Sequence, residues 1–291
     1  MSPPALDRPG TLRRQADVIA ASAWLGWQID ANWADPFTFL VFSIAKPLAT
    51  SLILYFMVRI VSPASATGDA FLFLFLGNTF FLYVTEVLIG ISWTVFRDRE
   101  DYETLKYVYL APIPLRSYLF GRGMAKMGTA TLGVTVALLF GRFVLHLPIG
   151  TPHTPWGLVV LAVLLGLVAV AWLGIVLAGL SLVVARHSIN LNEGLGGVLY
   201  LLSGAVFPIE VLPGFAQRIS LWLPFTYWLE LLRRLILGRS FSKVLHGVSD
   251  GKLWLVLVLS TVGIAVFAWV WFRFCEHVAR SRGLIDWKTN Y

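Results

Sequence analysis

Long, continuous apolar stretches constrain this chain more than any motif does. Residues 161–182 contain no charged side chain, and Ser181 is the only hydroxyl among them. A bilayer core of about 30 Å is crossed by about 20 apolar residues in a helix. The runs are unbroken rather than alternating every second residue, which points to helices and not to barrel strands. On that rule six spans are predicted, over residues 37–60, 70–96, 118–146, 156–185, 189–207 and 253–274. Composition points the same way. Only 13% of residues are charged and 57% are apolar, whereas a soluble domain carries about 25% charge. The expected fold is therefore all-α and integral to the membrane, with residues 36–291 as a six-span domain behind a tail and amphipathic helix at 1–35.

The first ten residues are polar and hold three prolines, so no signal peptide is expected there. Beyond them Leu12, Ala16, Ile19, Ala23 and Trp27 recur at helical spacing, while Arg13, Arg14, Asp17, Gln28 and Asp30 fall on other faces. Two readings fit: a helix lying in the headgroup region, or an amphipathic helix packed on a partner subunit. Trp24, Trp27 and Trp33 favour the first, because tryptophan prefers that depth.

With both termini in the cytoplasm of a cell-membrane protein, the cytoplasmic segments hold twelve Lys and Arg, from Arg8 to Lys288, and obey the positive-inside rule. Residues 208–252 break it, with Arg218, Arg233, Arg234, Arg239, Lys243 and Lys252 on the expected outer side. Pro208, Pro213 and Pro224 set off two short apolar pieces, Phe215–Trp222 and Phe225–Leu237. The longer is 13 residues, about 20 Å as a helix and too short to cross. The prediction is a helical hairpin over about 208–238 that enters the outer leaflet and returns. Its arginines then face lipid phosphates, a neighbouring helix or an aqueous cavity.

Several chemistries are excluded. The one Gly-Lys pair, Gly251–Lys252, lacks the earlier glycine of a phosphate loop and is followed by leucine. Cys275 is the only cysteine, and all five histidines lie at or beyond span ends. No catalytic group, cofactor site or metal site is therefore expected on this chain. Two charges do sit deep in spans. Lys46 lies nine residues into the first and Glu86 ten residues from the matching end of the second, both about 13–15 Å deep. Neighbouring antiparallel spans would pair them. Such a pair fixes helix packing or lines a substrate path; alternatively Lys46 snorkels. Arg122 and Lys126 read as snorkelling anchors, and Gly133, Ala137 and Gly141 as a small-residue ridge for close packing, within the protomer or across a dimer.

The densest charge cluster is residues 97–106. Either it is a solvated loop, or Asp98 caps a short helix whose apolar side is Leu105, Val108 and Tyr109 and which ends at Pro112 and Pro114.

Two segments resemble the type-2 ABC exporter permease family. One runs Arg99-Glu100-x-x-Glu103-Thr104-Leu105, then Ala111-Pro112, then Gly121-Arg122 at the opening of the third span. It is similar to the family's cytoplasmic coupling segment, with Glu103 where glycine is usual and Lys106 where an acid is usual. The other runs from Ser203-Gly204 through Pro208, Leu212-Pro213, Leu223-Pro224-Phe225-Thr226 and Glu230-Leu231-Leu232-Arg233 to Gly238. It is similar to the family's signature between the last two spans, where re-entrant helices form. The resemblance implies a coupling helix over about 98–114 that includes Asp98, Arg99, Glu100, Glu103, Thr104, Leu105 and Pro112. It implies a second permease chain, identical or related, and two separate ABC nucleotide-binding subunits that carry ATP and Mg. No nucleic acid is implied. The expected cargo is hydrophobic or amphipathic, drug-like or lipid-like. A lipid-linked polysaccharide is the alternative within the class, and an ion-coupled transporter with Glu86 as carrier is the alternative outside it.

Overall fold

The computed structural model describes residues 12–31, 36–61, 68–111, 113–150, 154–184 and 188–284, and every regular element among them is helical. Five helices are long and apolar enough to cross a membrane, within Phe37–Ile60, Asp69–Glu100, Leu115–Phe143, Trp156–Val183 and Asp250–Ser281. The protein is an all-α integral membrane protein.

The chain opens with α1 (Leu12–Ala31) and α2 (Pro36–Val61). The second span is compound: α3 (Asp69–Tyr83), a π-helical turn Val84–Ile89, and α4 (Gly90–Glu100) run as one rod. Its 32 residues make about 48 Å, longer than the hydrocarbon core alone requires. A short α5 (Leu105–Leu110) leads into α6 (Leu115–Phe143), then α7 (Trp156–Val183) and α8 (Ser188–Leu202). A single 3-10 turn, Ile209–Val211, precedes α9 (Gly214–Trp222), α10 (Pro224–Leu237) and the closing α11 (Asp250–Ser281).

The compound span is the core. Phe71, Leu72, Phe75, Leu76, Phe80, Val87, Leu88, Ile91 and Val95 are each at most 2% exposed, because α6, α7, α8 and α10 all pack on this rod. Small residues set the distances. A Cβ at Gly166 of α7 would lie 2.1 Å from the Trp228 ring, and one at Gly141 of α6 would lie 2.6 Å from Phe75. Trp228 is fully buried and donates its indole N–H to Ala162 O at 2.8 Å, locking α10 onto α7. The α6 ridge works inside the protomer: Gly133 meets Pro47 of α2, Ala137 is 1% exposed, and Gly141 receives Phe75.

Two expectations change. The segment predicted as the fifth span, 189–207, is helical only from Ser188 to Leu202. Its 15 residues reach about 22 Å, short of a bilayer core. The helix stops because Gly204 turns left-handed at φ +72° and Pro208 follows. The second change concerns α1, which packs along α6 of its own chain. The packed face is not the apolar stripe but Ser22 and Gly26, both buried, with Ala16 and Trp27 exposed. Gly121 is the reason: a Cβ there would lie 2.4 Å from Ile19 O and 2.7 Å from Ser22 Cβ. Trp24 is left free to meet lipid, as an interface helix requires, while Trp27 packs edge-to-face on Phe39 of α2. Trp33 lies outside the described residues.

Candidate functional site

Two ends of the bundle carry the chemistry: the end bearing α5, and the end bearing α9 and α10. At the α5 end, residues 98–100 do not begin a short helix. They form the last turn of α4, and only Leu105–Leu110 is helical beyond them. Asp98 is therefore no cap. It is 1% exposed, accepts a 2.7 Å hydrogen bond from Tyr118 Oη and lies 4.0 Å from Arg122. Arg99 is 3% exposed, pairs with Glu100 at 3.1 Å and donates to Ser181 O of α7 at 3.2 Å. Burial of these charges is tolerated because each is matched by an opposite charge or a carbonyl. The cluster ties α4 to α6 and α7, so Asp98, Arg99 and Glu100 lie inside the bundle rather than on its rim.

The outward-facing residues follow. Glu103 and Thr104 are exposed, Thr104 precedes α5 without a side-chain cap, and Glu103 takes φ +52°. The family glycine stands at that position, and the left-handed turn explains the preference for it. Leu105 is 1% exposed and pins α5 to the body, whereas Tyr107 and Leu110 are 63% and 82% exposed. Burial and the nearby Glu276 carboxylate push the pKa of Tyr109 well above the usual tyrosine range. Pro112 lies outside the described residues.

Above this end, α1, α2, the compound span and α6 enclose an open cavity of about 530 Å³. Phe39, Pro47, Leu82 and Ala130 supply apolar walls, while Asp30, Glu86, Arg97, Asp101 and Lys126 supply charge. Lys46 forms an ion pair with Glu86 at its upper edge. The π-turn carries Glu86; such insertions recur at functional sites. Lys126 does not snorkel either: it pairs with Asp30 of α1 at 2.7 Å. Arg122, read from the sequence as an anchor, is 4% exposed within the Asp98 cluster. Sequence reasoning missed Asp30 and Tyr118. Gly121, Ala125 and Gly26 carry the signal for Asp30, since small residues on two helices mark where backbones meet.

At the opposite end, Arg233 is 3% exposed and reaches across three elements. Its Nη2 donates to Gly204 O at 2.9 Å, Phe73 O at 3.2 Å and Ala205 O at 3.3 Å, and its guanidinium sits 3.6 Å from the Phe73 ring centroid. Gly77 makes room, since a Cβ there would lie 2.2 Å from that Nη2. Burial pushes the pKa of Arg233 down to about 9, against the opposing pull of Glu230. Glu230 accepts from Arg234 at 3.1 Å, Ser240 at 2.6 Å and the Phe241 N–H at 3.3 Å. Arg239 pairs with Asp69 at the start of α3. Of the three environments open to these arginines, Arg233 takes the neighbouring helix. The prolines punctuate: Pro208 precedes the 3-10 turn, Pro213 precedes α9, and buried Pro224 is the first residue of α10. Gly238 ends α10 with a left-handed cap at φ +72°, its N–H bonded to Arg234 O.

The profile of the ABC-2 type transporter family matches residues 21–237, from inside α1 to the end of α10. The chain belongs to that family. The first resembling segment and all of the second but Gly238 fall within the match, and with them the Asp98 cluster, the charged cavity and the Arg233 brace. Compared with curated proteins, the chain finds no significant match. ABC-2 proteins are the membrane components of ABC transporters, working with a separate ATP-binding subunit, so this chain is a multi-pass permease component.

Proposed function

We propose that this chain is the permease subunit of an ATP-driven ABC exporter for hydrophobic or amphipathic molecules. The cavity at the α5 end carries the reading. Its volume of about 530 Å³ and its mixture of apolar walls with both signs of charge suit a solute with an apolar body and a polar head. Among the described residues, Lys46 with Glu86 and Lys126 with Asp30 are already paired. Of the two cations in the lining, Lys126 is held by Asp30, so a polyanion would meet Arg97 without breaking a pair and little further positive charge, whereas an amphiphile needs no more.

The α5 end faces the cytoplasm, along with both termini, in the cell membrane. Tyr107 and Leu110, exposed on a short helix pinned by Leu105, form the contact with one of two nucleotide-binding subunits that hold ATP and Mg. Two permease chains complete the path. The sixth crossing is made by α8 together with residues 203–207. The α9–α10 pair re-enters from the outer side, in keeping with exposed Phe215, Ile219 and Trp222 on α9. ATP binding stabilises one of two permease states over the other, and that difference in affinity drives the exchange.

The test is purification of the full chain from native membranes in mild detergent. A stoichiometric phosphate-loop ATPase should accompany it, with activity raised by amphipathic compounds. Tyr107→Ala with Leu110→Ala should release the ATPase while the permease stays monodisperse. Copurification of no ATPase, under conditions that hold other membrane complexes together, would refute the proposal. So would an ATPase that binds the double variant unchanged.

A further inference from the structure

A second cavity, of about 430 Å³, lies at the α5 end between α5, the start of α6 and the end of α11. Three arginines, Arg116, Arg273 and Arg280, line it against one carboxylate, Glu276. Glu276 is already engaged, 2.6 Å from Arg280, whose guanidinium also lies 5.1 Å from the Tyr109 ring centroid. Arg116 and Arg273 stand differently. Among the described residues neither has a carboxylate within 4.0 Å, yet both guanidinium groups gather over the Trp269 ring, at 5.4 and 4.7 Å from its centroid. Two like charges held on one indole repel each other, and Glu276, engaged by Arg280, offsets only part of that, so an anion placed between them is favoured.

The surroundings identify that anion. Val262, Val266 and Trp269 are 57%, 61% and 47% exposed. Their spacings of four and three, continued by four to Arg273, place them on one face of α11. An apolar stripe thus runs along the helix directly into the arginine cluster. Indole prefers the membrane–water boundary, so Arg273, one turn beyond Trp269, stands at the level of headgroup phosphates. Arginine's planar fork matches phosphate oxygens, and basic pockets between spans at this level suit anionic headgroups. We infer that Arg116, Arg273 and Arg280 bind the phosphate of an anionic glycerophospholipid whose acyl chain lies along Val262, Val266 and Trp269. The bound lipid ties α5 and α6 to α11, whatever the transporter carries.

The full chain, purified in detergent, should be titrated with dioleoylphosphatidylglycerol and with dioleoylphosphatidylcholine and read by native mass spectrometry. Phosphatidylglycerol should bind in preference. Arg116→Gln and Arg273→Gln should each weaken it about fivefold, and together about thirtyfold, since one cation near an anionic surface contributes about that much. Phosphatidylcholine binding and an Arg282→Gln control should not change. The wild-type chain alone supplies a second readout. Dibrominated phosphatidylglycerol should quench tryptophan fluorescence more than dibrominated phosphatidylcholine, and Trp269→Phe should remove the difference. Equal binding or quenching by the two lipids would overturn the inference, as would glutamine variants that keep the preference. Full displacement by millimolar inorganic phosphate would reassign the cluster to a free anion. Loss of the lipid when the ATPase subunit is added would reassign it to that protein.

Discussion

Replacing Arg233 should destabilise the whole permease, and the size of the effect follows from its contacts. Its guanidinium serves the carbonyls of Gly204, Ala205 and Phe73 and stacks on Phe73, all in a site that excludes solvent. Arg233→Ala leaves the carbonyls of Gly204 and Ala205, in a left-handed turn, without that donor and leaves Glu230 without its buried neighbour. Breaking such a buried charged contact costs about 3–5 kcal/mol. For a chain of this size that is a fall of about 5–10 °C in Tm. Arg233→Lys keeps the charge but loses the flat guanidinium that stacks on Phe73 while its Nη2 reaches the carbonyls, so it should fall closer to alanine than to the wild type. The protein carries its own reporter. Cys275 is the only cysteine and is 1% exposed in α11, so a thiol-reactive fluorophore labels it only as the bundle opens. Labelling followed against temperature gives Tm directly. If Arg233→Ala melts within about 1 °C of the wild type, or Arg233→Lys is indistinguishable from it, the brace does not hold the bundle and the reasoning fails.

Other consequences are independent of that one. Gly121→Val should push α1 off α6 at a cost of about 2 kcal/mol, and carbodiimide coupling of Asp30 to Lys126, a carboxylate and an amine 2.7 Å apart, should drop with it. Glu103→Gly should raise Tm, because relief of the left-handed strain at φ +52° outweighs the greater chain entropy of glycine by about 0.5–1 kcal/mol. Alanine replacements of Lys46 and Glu86 should be less than additive, by about 1 kcal/mol in a double-mutant cycle; additive losses would refute the pair. Desolvation tends to raise the pKa of Glu210, but the Val244 N–H, its own N–H and the Ser242 hydroxyl outweigh it and bring it below the ordinary value. Its contribution is present above the ordinary glutamate range and disappears as pH falls through the lowered value. The stability gap between wild type and Glu210→Gln should therefore narrow steadily on acidification below the ordinary glutamate range; a gap that does not depend on pH there would count against it.

The spans were legible because lipid enforces one rule on every stretch that crosses it: about 20 apolar residues in a row. Five of the six predicted runs are long helices, and the sixth is helical only over Ser188–Leu202, ending before Gly204 turns left-handed. Lys46 and Glu86 could be paired from depth alone, since hydropathy makes their positions along the axis countable. Rotation about the axis was not countable. Nothing in the local pattern says that α1 packs through Ser22 and Gly26 rather than through its apolar stripe, because the deciding residue, Gly121, lies on another helix. The same limit hid the Asp98 cluster. A run rich in charge reads as solvated, yet residues 98–100 continue a helix from the core, and their partners Tyr118, Arg122 and Ser181 come from two other helices.

That difference bears on the proposed function, in which a push from an ATPase would have to reach the spans. A coupling segment that began at Asp98 would be free to swing, and force applied to it would be lost in loop motion. Here the exposed part begins at residue 101, while Asp98 and Arg99 are fastened to α6 and α7 and Glu100 is paired with Arg99. The compound span has a buried anchor at each end, Asp98 with Arg122 at one and Phe73 with Arg233 at the other. Between them lies the π-turn with Glu86, beside the charged cavity. A rod fixed at both ends has its freedom where its helix is already irregular. If α5 is the coupling contact proposed above, motion delivered there would be expressed most at the π-turn, beside the Lys46–Glu86 pair rather than at the bundle ends.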